Sequence, residues 1–321
     1  MTRLRRRDVI AAIGVGTALR GWMAMRSWRD TQQTHAGEHP RLALARALSE
    51  KSPSEQVFWE ILGALIERPS DRLPPWPDEA TLREAVVQID ALLEATWPWE
   101  MRAWHSVPCF LQQRDRVHPA AQLLRSLTLA RRSEGRSPNL ELQAQELRGL
   151  RSLTLSRLEF TVRLSDKPHL ANLQELSLYD VTIPANEWAA MSESAHLATL
   201  RSLAMVDYHL PPDTLAAVLN GCLTRNVRSL GLRSGTIPGA RLAELLSHRA
   251  TLVRIESLDL SGNDLHDWHL GPLMEATWLS NLGELDLRCR NLRYISPEAQ
   301  ERLRKCPQFA RTRIHFDPPK R

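Results

Sequence analysis

Asp264, His266, Asp267 and His269 are the densest group of proton-transfer and metal-ligating side chains in this 321-residue chain. Histidines three residues apart can share one face of a helical turn and hold a metal ion there. The group follows a short apolar run, however, in the kind of exposed turn where polar residues are expected for solvation alone. The turn reading is preferred, and neither a metal nor any other cofactor is expected. A hydrolytic or metal-dependent enzyme, the alternative, would rest on His266 or His269. Other chemistries leave fainter marks. Gly14-x-Gly16 follows an arginine run rather than a strand, and no G-K-[ST] accompanies it, so a phosphate-binding loop is not indicated. No G-x-S-x-G occurs. Cys109, Cys222, Cys289 and Cys306 contain no C-x-x-C pair, which signals neither a disulfide framework nor a zinc site. Cys222 falls in line with Leu215, Val218 and Leu219 and is read as core packing. No catalytic residue is assigned, and the chain is expected not to be an enzyme.

The charge is unevenly placed. Residues 1–30 hold seven arginines and two aspartates, which accounts for the whole formal net charge of +5. The other 291 residues carry equal numbers of basic and acidic side chains, so no polyanion-binding surface and no nucleic-acid partner are expected. Lysine occurs only at Lys51, Lys167, Lys305 and Lys320, against 38 arginines. With abundant Ala, Leu and Pro, that bias suggests GC-rich bacterial coding. Three readings stand for residues 1–30. Arg5-Arg6-Arg7-Asp8-Val9-Ile10 before the weakly apolar Ala11 to Leu19 is similar to a twin-arginine export signal. A basic, Trp-bearing segment also suits an anionic membrane surface, and the third reading is a plain tail. No apolar run approaches the ~18 residues of a membrane span. A cytoplasmic location is therefore the first expectation, with export or membrane-surface attachment through residues 1–30 as the alternative.

The skeleton is a repeated phrase, L-x-x-L-x-L. Its copies are Leu124-Leu127-Leu129, Leu150-Leu153-Leu155, Leu173-Leu176-Leu178, Leu200-Leu203-Met205, Val227-Leu230-Leu232, Ile255-Leu258-Leu260 and Leu282-Leu285-Leu287. Successive starts are 26, 23, 27, 27, 28 and 27 residues apart, a period that marks a solenoid. The period of two at the centre predicts a short strand. An apolar residue recurs at position 11, in Phe160, Ile183, Leu210, Ile237, Leu265 and Leu292. Beyond it, Trp188 and Met191, then Leu215, Val218 and Leu219, then Leu242, Leu245 and Leu246 are spaced as one face of a helix. Prolines just ahead suit a first helical turn. Strands stack at about 4.8 Å and helices at roughly 10 Å, so an array of such units bends with its strands inside.

These phrases resemble the leucine-rich repeat family, and the helical outer side with a length near 27 is most similar to its ribonuclease-inhibitor-like class. The resemblance covers a little over half the chain. It implies an α/β fold: a curved right-handed solenoid with parallel strands inside and helices outside. It also implies Asn or Cys at position 9, whose amide would tie each strand end to the next coil. Here that column reads Arg132, Leu158, Val181, Tyr208, Gly235, Asn263 and Arg290, so only Asn263 fits. Less regular turns are expected, and the first repeat, with its polar stretch from Arg131 to Asn139, is read as a degenerate cap. Bacterial ubiquitin ligases with such repeats use a Cys-x-Asp motif, which no cysteine here forms.

Four segments follow: a basic tail at 1–36, a helical N-terminal cap region at 37–121, about seven repeats at 122–296, and a C-terminal cap or tail at 297–321. In the second, Val57, Phe58, Ile61, Leu62 and Leu65 share one helical face, and Leu82, Val86, Ile89, Leu92 and Leu93 share another behind a capping Asp78. Leu73-Pro74-Pro75-Trp76-Pro77 separates them. These helices, with Trp97, Trp99 and Trp104, are read as the cover of the solenoid's first layer, with an independent domain as the alternative.

The inner strand face remains as a binding surface. Position 2 reads Arg125, Arg151, Gln174, Arg201, Arg228, Glu256 and Gly283, and position 5 ends in Asp259 and Asp286, so the face runs from basic to acidic. Arg-Ser is common filler between such leucines, and a merely solvated face is the plain alternative. Position 7 carries Tyr179, Val206 and Arg233 on three consecutive strands, beside Asp180 and Asp207. A rigid aromatic and an arginine are types that anchor protein interfaces. The expected partner is therefore another protein, met by Tyr179, Asp180, Val206, Asp207, Arg228 and Arg233, with a membrane reached only through residues 1–30.

Overall fold

The structure is a computed structural model that describes residues 38–66, 73–105, 112–113, 116–130, 145–158, 163–247, 252–289 and 295–317. The twin-arginine-like segment, Gly14-x-Gly16, the polar stretch Arg131 to Asn139, Phe160, Leu292 and Cys109 lie outside them. The described residues form two compact units, one from within 1–102 and 118–123, the other from within 103–117 and 124–321.

The first unit is helical: α1 (Pro40–Ser49), α2 (Glu55–Leu65) and α3 (Glu79–Thr96). Its ends follow local chemistry. The Ser54 hydroxyl accepts from the Val57 N–H at 3.2 Å and the Asp78 carboxylate accepts from the Thr81 N–H at 2.7 Å, so each caps the first turn of the helix behind it. Phe58, Ile61, Leu62 and Leu65 of α2 and Leu82, Val86, Ile89 and Leu93 of α3 are buried, as their spacing predicts. Leu92 is exposed, because it lies one position off the buried stripe of α3. The α1 helix lacks a strong apolar stripe in the sequence; its start is marked by His39, which accepts the Arg41 N–H at 3.4 Å, and by Pro40 in the first turn.

Two arginines hold this unit together from inside. Arg41 is buried and donates to the carbonyls of Ala64 (3.2 Å), Ile66 (3.1 Å) and Pro74 (2.7 Å), tying α1 to both sides of the connection after α2. Arg102, fully buried, donates to the Leu123 carbonyl at 2.9 Å, to Glu94 at 2.9 Å and to Asp90. Asp90 and Glu94 are four residues apart and so face the same way from α3. Trp97 closes the base by donating to the Ser49 carbonyl at 3.0 Å.

The second unit is dominated by a nine-stranded sheet among the described residues, and every pairing in it is parallel. In chain order the strands of the unit are β1 (Ala103–His105), the two-stranded antiparallel pair β2 (Gln112–Gln113) and β3 (Arg116–Val117), then β4 (Ser126–Ala130), β5 (Ser152–Ser156), β6 (Glu175–Tyr179), β7 (Ser202–Val206), β8 (Ser229–Arg233), β9 (Ser257–Asp259), β10 (Glu284–Asp286) and β11 (Arg313–His315). The large sheet omits β2 and β3 and otherwise follows chain order. Every repeat phrase keeps the same register: Leu127, Leu153, Leu176, Leu203, Leu230, Leu258 and Leu285 stand opposite one another and are buried. The strands β1 and β11 continue the ladder beyond the phrases, inside stretches the sequence assigned to the helical region and to the C-terminal tail. Their phrases begin with Met101 and Arg311 where the others begin with an aliphatic residue, which hides them from a leucine pattern.

Behind the strands run α4 (Ala185–Glu193), α5 (Pro212–Asn220), α6 (Gly239–Ser247), α7 (Leu270–Glu275) and α8 (Pro297–Lys305), alternating with single turns of tighter helix. Position 11 is buried wherever it is described, in Ile183, Leu210, Ile237 and Leu265. Leu215, Val218 and Leu219 are buried on α5, but Cys222 is not their helical neighbour. Instead α5 stops at Asn220 and Cys222 begins a new turn, half-buried. Gly221 is the reason: a Cβ there would come within 2.5 Å of the Ser192 Cβ, so the chain passes too close to α4 for any side chain. No helix of the described residues is long and apolar enough to cross a membrane.

Position 8 explains how five of the strands, β5 to β9, end. Arg157, Asp180, Asp207 and Ser234 take φ of 52°, 50°, 52° and 51°, and Gly262 takes 75°, all in the left-handed region. Each bends the chain out of the strand while its N–H still reaches the next repeat. Thus Arg157 donates to the Tyr179 carbonyl at 2.7 Å, Asp180 to Val206 at 2.9 Å, Asp207 to Arg233 at 3.0 Å, Ser234 to Ser261 at 3.0 Å and Gly262 to Arg288 at 2.7 Å. Gly262 is the one of the five without a side chain, and a Cβ on it would lie 2.4 Å from the Ser234 hydroxyl. Gly262→Ala is therefore expected to destabilise the protein by about 1–2 kcal/mol, the usual cost of a left-handed side-chain-bearing residue. Thermal denaturation reads it, and an unchanged melting temperature would show that the turn relaxes.

Candidate functional site

Tyr179, Val206 and Arg233 close strands β6, β7 and β8 at the same level, paired one to the next in register. Alternation along β6 puts Leu176 and Leu178 in the core and leaves Glu175, Ser177 and Tyr179 on the open face, half-exposed. The trio is thus assembled as the sequence implies, but its members differ. Val206 is only 5% exposed and offers little surface to a partner. Arg233 is half-exposed and stands 3.3 Å from Asp259 of the following strand. Asp180 and Asp207, being the left-handed residues, turn away at the strand ends. Between these anchors the floor is low, with Ser177, Ala204 and Gly231 in register at position 5.

The expected gradient from basic to acidic is neutralised in part, toward its acidic end. Arg228 meets Glu256 across neighbouring repeats at 2.8 Å, both well exposed. His315 meets Glu284 at 2.9 Å, again between adjacent strands. Asp286 is bound by Arg288, two residues on, through its guanidinium and its N–H. Burial alone would raise the Asp286 carboxyl, but the bonds from Arg288 outweigh it and hold the group below the usual carboxylate range. Arg201 and Glu175, on β7 and β6 flanks of the centre, have no ion-pair partner among the described residues. Exposed pairs such as Arg228 with Glu256 contribute little stability. The link from Arg233 to Asp259 runs diagonally, from position 7 to position 5 of the next strand, whereas the register itself pairs like columns, Gly231 with Asp259.

The histidine-rich turn is committed to structure. His269 Nδ1 accepts the His266 N–H at 3.1 Å, His266 Nε2 lies 3.2 Å from Asp264, and Asp267 accepts the Ser296 N–H at 2.8 Å from the next repeat. Burial, followed by the neighbouring His266, lowers the His269 pKa. Trp268 stacks on the His266 ring at 4.6 Å and is 73% exposed. Among the described residues, no three His, Cys, Asp or Glu are grouped to hold a metal. Cys289 is no better placed for nucleophilic chemistry: burial, with Asp317 and Asp264 nearby, pushes its thiol up to about 11, so it is protonated at neutral pH.

Position 9, behind the strand ends, carries the decisive detail. The Asn263 amide donates to the carbonyls of Leu232 at 2.5 Å and Leu260 at 2.7 Å and accepts the Gly235 N–H at 3.0 Å. One buried side chain so ties its own turn to the preceding repeat. The fold is that of a leucine-rich repeat solenoid. Elsewhere in this column the leucine-rich repeats dispense with the amide. Leu158 and Tyr208 are buried there instead, and Tyr208 fills the space that Gly235 leaves, where a Cβ would sit 2.1 Å from its ring. The Tyr208 hydroxyl has no hydrogen-bond partner among the described residues, and burial raises its pKa.

No protein-family model and no curated protein matches the chain. Among solved structures, it is similar to a protein of Bacteroides fragilis at 12% identity and a TM-score of 0.46, over 77% of this chain and 85% of that one. It is similar to a leucine-rich repeat protein of Leptospira interrogans at 22% identity and a TM-score of 0.34, over 63% of this chain and 52% of that one, and so spans about half its length. An internalin of Listeria monocytogenes shows 16% identity and a TM-score of 0.32, over 63% of this chain and 70% of that one.

Proposed function

We propose that this leucine-rich repeat solenoid is a non-enzymatic scaffold that recognises another protein through its inner strand face. One observation carries the reading: Tyr179 and Arg233 stand half-exposed in one register on a rigid parallel sheet, two strands apart, above a floor of small side chains. Nine strands at about 4.8 Å make a face roughly 40 Å long. That length suits the approximately 800 Å² per partner of a standard interface. An aromatic fixed on a sheet loses little entropy on binding, and a guanidinium released from Asp259 can grip a partner carboxylate.

The test uses the full chain as bait and compares two double substitutions. Tyr179→Ala with Arg233→Ala is expected to keep the melting temperature and weaken capture of the bound protein by at least about 1–2 kcal/mol. Glu193→Ala with Arg241→Ala, on the helical side, is expected to change neither, since the Arg241 pair with Glu244 is exposed and contributes little. Undiminished capture by the strand-face variant would move recognition to another surface.

A further inference from the structure

We propose that two copies of this chain join edge to edge through β11, their strands antiparallel and centred on His315. This contact uses the end of the sheet and leaves the inner strand face free. Three observations lead to it. The residues that follow the core positions of every other strand are half-exposed in the last one: Ile314 pairs in register with buried Leu285, and Phe316 stands where the other repeats bury Leu or Met, yet both retain exposure. This final apolar layer has no described strand beyond it.

The backbone supplies the second observation. Arg313 donates its N–H to the Gly283 carbonyl at 2.8 Å, and His315 accepts the Leu287 N–H at 2.9 Å, so these two residues spend their groups on the β10 side. In a ladder the alternate residues point the other way. The N–H and C=O of Ile314 and Phe316 are therefore directed away from β10, at the edge beyond which no strand of the described residues lies. A two-fold axis at His315 places Ile314 of one copy opposite Phe316 of the other, and that is the pairing in which both residues exchange N–H···O bonds. Four such bonds form across the axis.

The third observation is the side-chain order, Arg313-Ile314-His315-Phe316-Asp317. About the same axis, Arg313 of each copy faces Asp317 of the other, and Ile314 faces Phe316. Opposite charges meet twice and apolar groups meet twice, in the single register that the backbone also selects. Asp317 uses one carboxylate oxygen to cap the Cys289 N–H at 2.5 Å, which leaves the other for the arginine. Pro318 and Pro319 follow at once and cannot donate to a ladder, so the pairing stays short and closes as a dimer.

Sedimentation of the full chain over rising concentration tests this. The parent is expected to pass from monomer to dimer, with nothing larger. Arg313→Asp puts like charges opposite each other twice, and its dimer should weaken about tenfold or more. Asp317→Arg should do the same. Mixed together, the two single variants regain both opposite-charge pairs and should form a heterodimer while each alone stays monomeric. Melting curves establish that each variant is folded, and if the loss of the Cys289 cap unfolds Asp317→Arg, the Arg313→Asp comparison alone decides. A parent that is monomeric throughout, open-ended assembly, or an Arg313→Asp dimer as tight as the parent's would overturn the proposal.

Discussion

Arg102→Ala is expected to destabilise the helical unit by about 3–5 kcal/mol, the range for breaking a buried ion pair. The side chain is fully buried and reaches Asp90, Glu94 and the Leu123 carbonyl at once. Alanine would leave Asp90, largely buried, without that guanidinium, and would leave the Leu123 carbonyl without its donor. Arg102→Met keeps much of the volume and should recover part of the loss, because the cavity term disappears while the polar term remains. Chemical denaturation followed by tryptophan fluorescence suits the measurement, since Trp97 sits in the same unit. If Arg102→Ala unfolds at the parent's midpoint, Asp90 and Glu94 find solvent or other donors without strain.

Leu203→Ala is expected to cost about 2–5 kcal/mol, as buried leucine truncations do. Leu203 lies mid-sheet between Leu176 and Leu230, fully buried, with its layer closed on both sides. Stacked repeats rely on contacts with their neighbours, so a cavity in an interior layer weakens two interfaces. The adjacent Ser202→Ala, pointing to the open face, should leave stability within about 0.5 kcal/mol. A Leu203→Ala variant that melts with the parent would mean that the β7 register is wrong.

The repeats were legible because one pattern, written seven times, has a single physical solution: alternate residues inward, and like columns stacked. The helices α2 and α3 were legible from Ser54 and Asp78, which cap the turns they precede. The strands β1 and β11 were not, because Met101 and Arg311 stand in the column that is otherwise aliphatic. The candidate site was legible in part. A fixed period put Tyr179, Val206 and Arg233 on one level, but period says nothing of how far each side chain is covered, and Val206 proved buried. The contacts of Arg228 and Arg233 run to the next repeat and that of Arg288 to a residue two positions earlier, and all three depend on rotamers that no spacing encodes. The missing position-9 amides pointed to irregular turns. The structure keeps five of the turns alike through a backbone device at position 8, which composition hides because Arg, Asp, Ser and Gly all serve there.

That device has a consequence for how the molecule breathes. The N–H groups of Arg157, Asp180, Asp207, Ser234 and Gly262 sit in turns, yet each is bonded to the following repeat. Turn amides ordinarily trade their protons with solvent quickly, because they open without disturbing anything else. These five can open only when two neighbouring repeats part. In deuterated water they should keep their protons as long as strand amides do, and together they should report when one repeat separates from the next.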